Sequence, residues 1–143
     1  MIVKLHGNSG SGKTTVARGL MALDKGVTPI GDPKRPEAYE CKIKGIKGSL
    51  FVLGPYTSTC GGLDSISSWR EAADLLHKYA ALGHVFHEGL LSSTYYGGFG
   101  VETERYGDKY IFAFLDTPLE LCIERIKARR LAAGNTKPLN EDN

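Results

Sequence analysis

The residues with the plainest chemical purpose are Gly7-Asn8-Ser9-Gly10-Ser11-Gly12-Lys13-Thr14, followed by a second threonine, Thr15. They satisfy the pattern G-x-x-x-x-G-K-[ST] at every fixed position. Gly7, Gly10 and Gly12 let the backbone turn tightly and bring its N–H groups against phosphate oxygens. Lys13 places a positive charge between the β- and γ-phosphates of a nucleoside triphosphate, and the Thr14 hydroxyl can ligate Mg²⁺. Residues 7–15 are therefore expected to form the nucleotide site.

Other residues could complete such a site. Glu88 ends an apolar strand downstream of the phosphate loop, where a second Mg²⁺-organising acid sits; Asp is usual there, so Glu88 is expected to act through a bound water. Asp64 closes a polar loop, residues 54–64, at the end of a buried strand, and Gly61 and Gly62 beside it would let backbone approach a ligand closely. Asp32 is the one carboxylate in residues 26–36 that could face a site, although a turn residue before Pro33 is the plainer reading. Arg125 and Arg129, four apart on one helix, could close over the γ-phosphoryl group, because a planar guanidinium grips shifting charge well. His84 and His87 invite a metal reading. Three apart on a strand, however, they point to opposite faces and do not share one ion easily. Tyr95, Tyr96 and Phe99, among the glycines of residues 92–100, could stack on a base or simply pack the domain.

Elements that would position these residues follow from pattern. Residues 2–6 read as a buried strand and 14–23 as a helix, the strand–loop–helix order the phosphate motif needs. Residues 26–36, rich in Pro, Gly and charge, read as a long connection. Residues 39–43 and 49–53 read as two strands about a glycine-bearing turn. Residues 67–82 form a helix with Ser68 and Glu71 as a capping box and Trp69, Ala73, Leu76 and Ala80 on its buried face, ended by Gly83. Residues 84–89 and 109–115 are strands, and 101–106 a helix. The last helix is expected to take Thr117 as N-cap, Pro118 at its first position and Glu120 at its third. It runs to residue 132, burying an arc of Leu119, Cys122, Ile123 and Ile126. The tail from residue 134 reads as loop.

Composition bounds the class. The chain has 143 residues, 41% hydrophobic and 24% charged, which suits one globular domain over residues 1–143. A formal charge of +2 does not by itself argue for nucleic acid. Lys34, Arg35, Lys42, Lys44 and Lys47 could form a basic strip or a solvated surface. Three cysteines without C-x-x-C spacing suit reduced thiols. With no leader before the first strand and no long apolar run, the protein is expected to be soluble and cytoplasmic.

The order of parts resembles the P-loop nucleoside and nucleotide kinases. The resemblance rests on the Gly7–Thr15 loop, the strand ending in Glu88-Gly89, and Leu115-Asp116-Thr117-Pro118 leading to Glu124-Arg125-Ile126-Lys127-Ala128-Arg129-Arg130. It implies a three-layer αβα sandwich with a parallel core sheet and a C-terminal lid over about residues 125–140, using ATP and Mg²⁺. Leu53-Gly54-x-Tyr56, Cys60-Gly61-Gly62-x-Asp64 and Val85-x-x-Glu88-Gly89 together look like the phage-encoded kinases of 5-hydroxymethyluracil in DNA. That likeness implies transfer of the γ-phosphoryl group of ATP to a hydroxymethyl group in phage DNA. Lys13, Glu88, Arg125 and Arg129 would serve the transfer, Asp64 would orient or deprotonate the acceptor, and Asp32, Tyr56, Gly61 and Gly62 would line its site. A kinase of a free nucleoside, nucleotide or metabolite stays open, as does a non-catalytic nucleotide switch. The guanine-reading N-K-x-D pattern is missing, against a GTPase.

Overall fold

The computed structural model describes residues 1–66, 68–89 and 100–139. It is a mixed α/β fold built on a six-stranded sheet. The elements are β1 (Ile2–His6), α1 (Lys13–Ala22), β2 (Thr28–Asp32), β3 (Arg35–Cys41), β4 (Leu50–Leu53), α2 (Trp69–Ala80), β5 (His84–Glu88), α3 (Val101–Tyr106), β6 (Tyr110–Phe114) and α4 (Leu119–Ala132). In space the strands run β2-β3-β4-β5-β1-β6. The pairs β4–β5, β5–β1 and β1–β6 are parallel, whereas β2–β3 and β3–β4 are antiparallel.

Leu50-Phe51-Val52-Leu53 is buried at every position, as a central strand covered on both faces should be. Phe51 and Leu53 pack with Ile2, Val85 and the α2 residues Ala72, Leu76 and Tyr79. Leu50 and Val52 point the other way, into a cluster with Leu5, Phe86 and Ala17 of α1. The alternation of one short strand thus joins two cores, one under each helix.

The parallel strands give the molecule two unlike ends. The phosphate loop, the turn Gly62–Ser65 after β4, Glu88 and the β6–α4 connection all follow strands, so they gather at the carboxyl ends of β1, β4, β5 and β6. Ligands of open α/β sheets bind outside that edge.

Four expectations change. Residues 26–36 are not one long connection, because residues 28–32 form edge strand β2 against β3, with a register shift at Ile30/Gly31. Pro29 is tolerated because an edge strand need not donate on its outer side. Secondly, the buried face of α2 is Ala72, Ala73, Leu75, Leu76 and Tyr79, and Trp69 is only half-buried. The capping box stands, with Glu71 N–H donating to Ser68 Oγ at 3.2 Å. Thirdly, α4 begins at Leu119 with Pro118 before it, and the Thr117 hydroxyl donates instead to Ser11 O at 3.0 Å. Finally, α4 buries only Cys122 of its expected arc, and Leu119 is 57% exposed. This helix lies over the phosphate loop rather than in the core. Among the described residues no helix is long and apolar enough to cross a membrane. Tyr95, Tyr96 and Phe99 lie outside the described residues.

Candidate active site

The phosphate loop is held from three sides. Its backbone is drawn into a turn by Ser11 N–H donating to Asn8 O at 3.1 Å. Lys13 Nζ donates to Gly7 O at 2.8 Å and to Asn8 O at 3.0 Å, so the ammonium lies inside the curve of the loop. From α4, Arg125 donates to Gly10 O at 3.3 Å, beside the Thr117 bond to Ser11 O. Gly10 has φ +81°, and a Cβ there would meet Cys122 O at 2.5 Å. The residue type is fixed twice, by backbone conformation and by the approach of α4.

Glu88, at the end of β5, is 2% exposed. Its Oε1 accepts from the Thr14 hydroxyl at 2.9 Å. Burial pushes the Glu88 carboxyl above the usual carboxylate range, while the Thr14 hydrogen bond and the charges of Lys13 and Arg18 pull the other way. The Thr14 proton points at Glu88, which leaves the hydroxyl lone pairs for a cation. No group of three or more His, Cys, Asp or Glu among the described residues could hold a metal by itself. The oxygen pair Thr14–Glu88 is a donor set of the kind that could hold Mg²⁺, an ion commonly bound by few protein ligands with the rest from water and phosphate. The Tyr56 hydroxyl, buried near Glu88 and without a hydrogen-bond partner among the described residues, adds a further oxygen able to meet a water there.

A cleft of about 610 Å³ opens over this pair, and Lys13, Thr14, Arg18, Cys60, Gly61, Asp64, Glu88, Arg125 and Arg129 are among its lining. It thus brings together residues predicted from four separate stretches of sequence. Asp64 is exposed and lies close to the residue after Glu88, since a Cβ on Gly89 would meet Asp64 Oδ1 at 3.0 Å.

Gly61 and Gly62 also pack tightly within the site. With φ +78°, Gly62 sits against Glu88, where a Cβ would come 2.7 Å from the Glu88 carbonyl oxygen and 2.9 Å from its Cδ. Gly61 covers the ring of Tyr56. The glycine pair is what lets the Asp64 turn settle directly on the buried carboxylate.

Five expected site residues stand outside the cleft lining: Gly7 and Asn8 at the start of the phosphate loop, Gly62 against Glu88, Tyr56 and Asp32. Tyr56 is buried beneath Gly61, and its ring meets Tyr39 edge-on at 6.0 Å between centroids. Asp32 ends β2, where its Oδ1 accepts from Lys34 N–H at 2.9 Å, the turn-residue role. The two strand histidines part company as alternation requires. His84 Nε2 lies 3.1 Å from Lys47 O, while His87 is wholly buried with Nε2 at 2.7 Å from the Tyr110 hydroxyl.

Arg18 is the residue the motif reading passes over. It stands one helical turn beyond Thr14, on the same side of α1, and donates to Tyr56 O at 3.3 Å and to Ser58 O. That i, i+4 spacing from Thr14 was the signal available in the sequence. Arg129 reaches across from α4 to Cys60 Sγ at 3.3 Å, so α4 and the loop before Asp64 touch.

No family model matches the chain, and no solved structure does. Curated relatives do. The chain is 35% identical over 140 residues to the 5-hmdU DNA kinase of Pseudomonas phage PaMx11, covering 96% of this chain and 73% of that protein. It is 33% identical over 148 residues to the 5-hmdU DNA kinase of Pseudomonas phage M6, covering 98% and 75%. With that of Delftia phage PhiW-14 the identity is 27% over 160 residues, 99% of this chain and 58% of the relative. At this identity, and over nearly its whole length, the chain belongs to the family of the 5-hmdU DNA kinases.

Proposed function

We propose that this chain transfers the γ-phosphoryl group of ATP to the hydroxymethyl oxygen of 5-hydroxymethyluracil in DNA. The observation that carries the reading is the convergence of Lys13, the Thr14–Glu88 pair and Asp64 on one cleft in a chain of this family. The four parallel strands with a phosphate loop after β1 and helices on both faces support a P-loop kinase architecture, with α4 and residues to about 140 as its lid. In the reaction the acceptor oxygen forms a bond to Pγ as the bond from Pγ to the bridging oxygen of ADP breaks, and the hydroxyl proton leaves toward a carboxylate.

The residues divide this work. Backbone N–H groups of residues 7–15 cradle the phosphates, and Lys13 moves from its loop carbonyls to the charge that develops on the transferring group. Thr14, and Glu88 through water, would hold Mg²⁺, which would supply neutralisation of the charge on the ATP phosphates. Asp64 orients the hydroxymethyl group and takes its proton. Arg125 and Arg129 close from α4. Little covalent chemistry is asked of the protein, so positioning and electrostatics supply the acceleration.

The test is transfer from γ-labelled ATP with Mg²⁺ to DNA containing 5-hydroxymethyluracil, to matched thymine DNA, and to free nucleosides and nucleotides. Label on the modified DNA alone is expected. Label on a free nucleotide alone would keep the kinase and discard the DNA acceptor. Binding of ATP without any transfer would leave a nucleotide-binding module.

A further inference from the structure

Three arginines and the backbone of Lys34, from four parts of the fold, attach to one stretch, residues 56–65, which carries Asp64. Arg18 of α1 holds Tyr56 O and Ser58 O. At the tip of the β2–β3 hairpin, Lys34 O accepts from Thr57 Oγ1 at 3.4 Å, and from the first residue of β3 Arg35 holds Ser65 O. Arg129 of α4 reaches Cys60 Sγ. None of the four makes an ion pair with a carboxylate among the described residues, whereas Lys78 is bound to Glu37. Of the acids that share a pocket with Arg35, Asp32 accepts from Lys34 N–H and Glu37 from Lys78 and the Tyr79 hydroxyl, and Glu71 makes no ion pair with Arg35. Each guanidinium has five N–H donors and spends one or two here, so the outer face of each still presents charge.

Topology separates these groups from the rest of the basic strip. Because β3 is antiparallel to β4, with Ala38 beside Leu53 and Cys41 beside Leu50, Arg35 lies at the carboxyl end of β4 and Lys42 at its amino end. Lys42, Lys44 and Lys47 therefore belong to the opposite edge of the sheet from the cleft. Arg18 and Arg129 line the cleft, and Lys34 and Arg35 do not. Cations placed beyond the cleft, on the Asp64 side, have no use for a nucleoside or a single nucleotide. They suit an acceptor that continues past its reacting residue as a chain of phosphates.

Resting on the DNA-kinase reading above, we infer that Arg18, Lys34 and Arg35 form the track for the phosphodiester backbone of the acceptor strand, while Arg129 keeps its place over the donor. Arg18 takes the phosphate next to the reacting nucleotide, and the hairpin tip takes those further along. The cation count is then a measurable quantity, because each phosphate contact contributes to the salt dependence of binding.

The experiment uses oligonucleotides with a single 5-hydroxymethyluracil, the matching free mononucleotide, and three variants: K34A/R35A, the charge-keeping K34R/R35K, and K42A/K44A/K47A. For K34A/R35A, the KM for the oligonucleotide is expected to rise about ten-fold, and the slope of log affinity against log salt to shrink by roughly 1.4 to 1.8. The KM for ATP stays unchanged, K34R/R35K keeps the wild-type slope, and K42A/K44A/K47A keeps wild-type KM and slope. An unchanged oligonucleotide KM and slope in K34A/R35A, or an equal loss in the triple-lysine variant, would overturn the track and leave the DNA kinase standing. A wild-type enzyme that labels the mononucleotide and ignores the oligonucleotide would instead overturn the underlying reading, and the track with it.

Discussion

Replacing Gly62 by Ala tests whether the turn before Asp64 positions the buried carboxylate. Gly62 has φ +78°, a left-handed conformation that costs a residue with a Cβ about 1–2 kcal/mol. The added methyl would also stand 2.9 Å from Glu88 Cδ, 2.7 Å from Glu88 O and 3.0 Å from Glu88 Oε1. Ordinary carbon contacts begin near 3.5 Å, so the turn and Glu88 must separate by roughly 0.6 Å. Because β5 is hydrogen-bonded on both sides, most of that movement falls on the 62–65 turn and on the Glu88 side chain, which accepts the Thr14 bond. A misplacement of that order should lower kcat about 10- to 100-fold. The KM for ATP should change little, since Gly7 to Lys13 are untouched. The thermal midpoint should fall by about 3–8 °C. Steady-state transfer at several Mg²⁺ concentrations, with a melting curve for each protein, makes the check. A folded Gly62→Ala protein with kcat within about two-fold of wild type would show that this contact does not set the carboxylate, and the reasoning would fail.

Three further outcomes follow from single residues. Lys13→Ala should lower transfer by about 10²–10³-fold while the protein stays folded, which activity and circular dichroism together would establish; near-normal turnover would remove Lys13 from the mechanism. His87 is held down to about 3 by burial first, then by the charges of Lys4 and His6, against an ordinary value of 6.5. Between those values the unfolded chain binds a proton that the folded chain does not, so stability falls as pH falls below 6.5, by about 2 kcal/mol at pH 5. A thermal midpoint flat between pH 7 and 5 would contradict this. Gly19→Ala meets nothing within 4 Å on α1 and should raise stability by about 0.5–1 kcal/mol in chemical denaturation without altering kcat, whereas a loss would mean that helix is constrained there.

What the sequence made legible was chemistry tied to a fixed spacing or to a strand end. The phosphate loop declares itself by residue type and order, and Glu88 by closing an apolar run. Asp64 follows the same logic, one strand over. The β2–β3 hairpin was hidden because Pro29, Gly31, Pro33 and Pro36 are poor strand formers, and an edge strand takes its stability from its neighbour rather than from propensity. The buried side of α4 was misjudged for a related reason. Its apolar spacing suggests a core helix, yet its buried Cys122 lies against Gly10, and the phosphate loop is held by Arg125 of the helix and by Thr117 of the connection before it. Gly61 and Gly62 were recognised as unusual, but sequence does not say which atoms press on a glycine. Here they are Tyr56 and Glu88.

Under the proposed function, donor binding and cation binding would be parts of one electrostatic unit. Burial alone would favour the protonated form of Glu88, which cannot serve a cation. The groups that offset burial are Thr14, Lys13 and Arg18, and all three come from the phosphate loop or the helix it opens. Asp64 acts in the opposite direction, raising the same carboxyl. Asp64 therefore weakens the charge that Thr14, Lys13 and Arg18 sustain on Glu88, and a cation near both carboxylates would relieve that conflict. Arg18 is placed for this as well as for the loop, since it is felt by Glu88 and bonded to the stretch bearing Asp64. Effects of altering Lys13, Arg18 and Glu88 should accordingly not add, because each change alters the protonation on which the others depend.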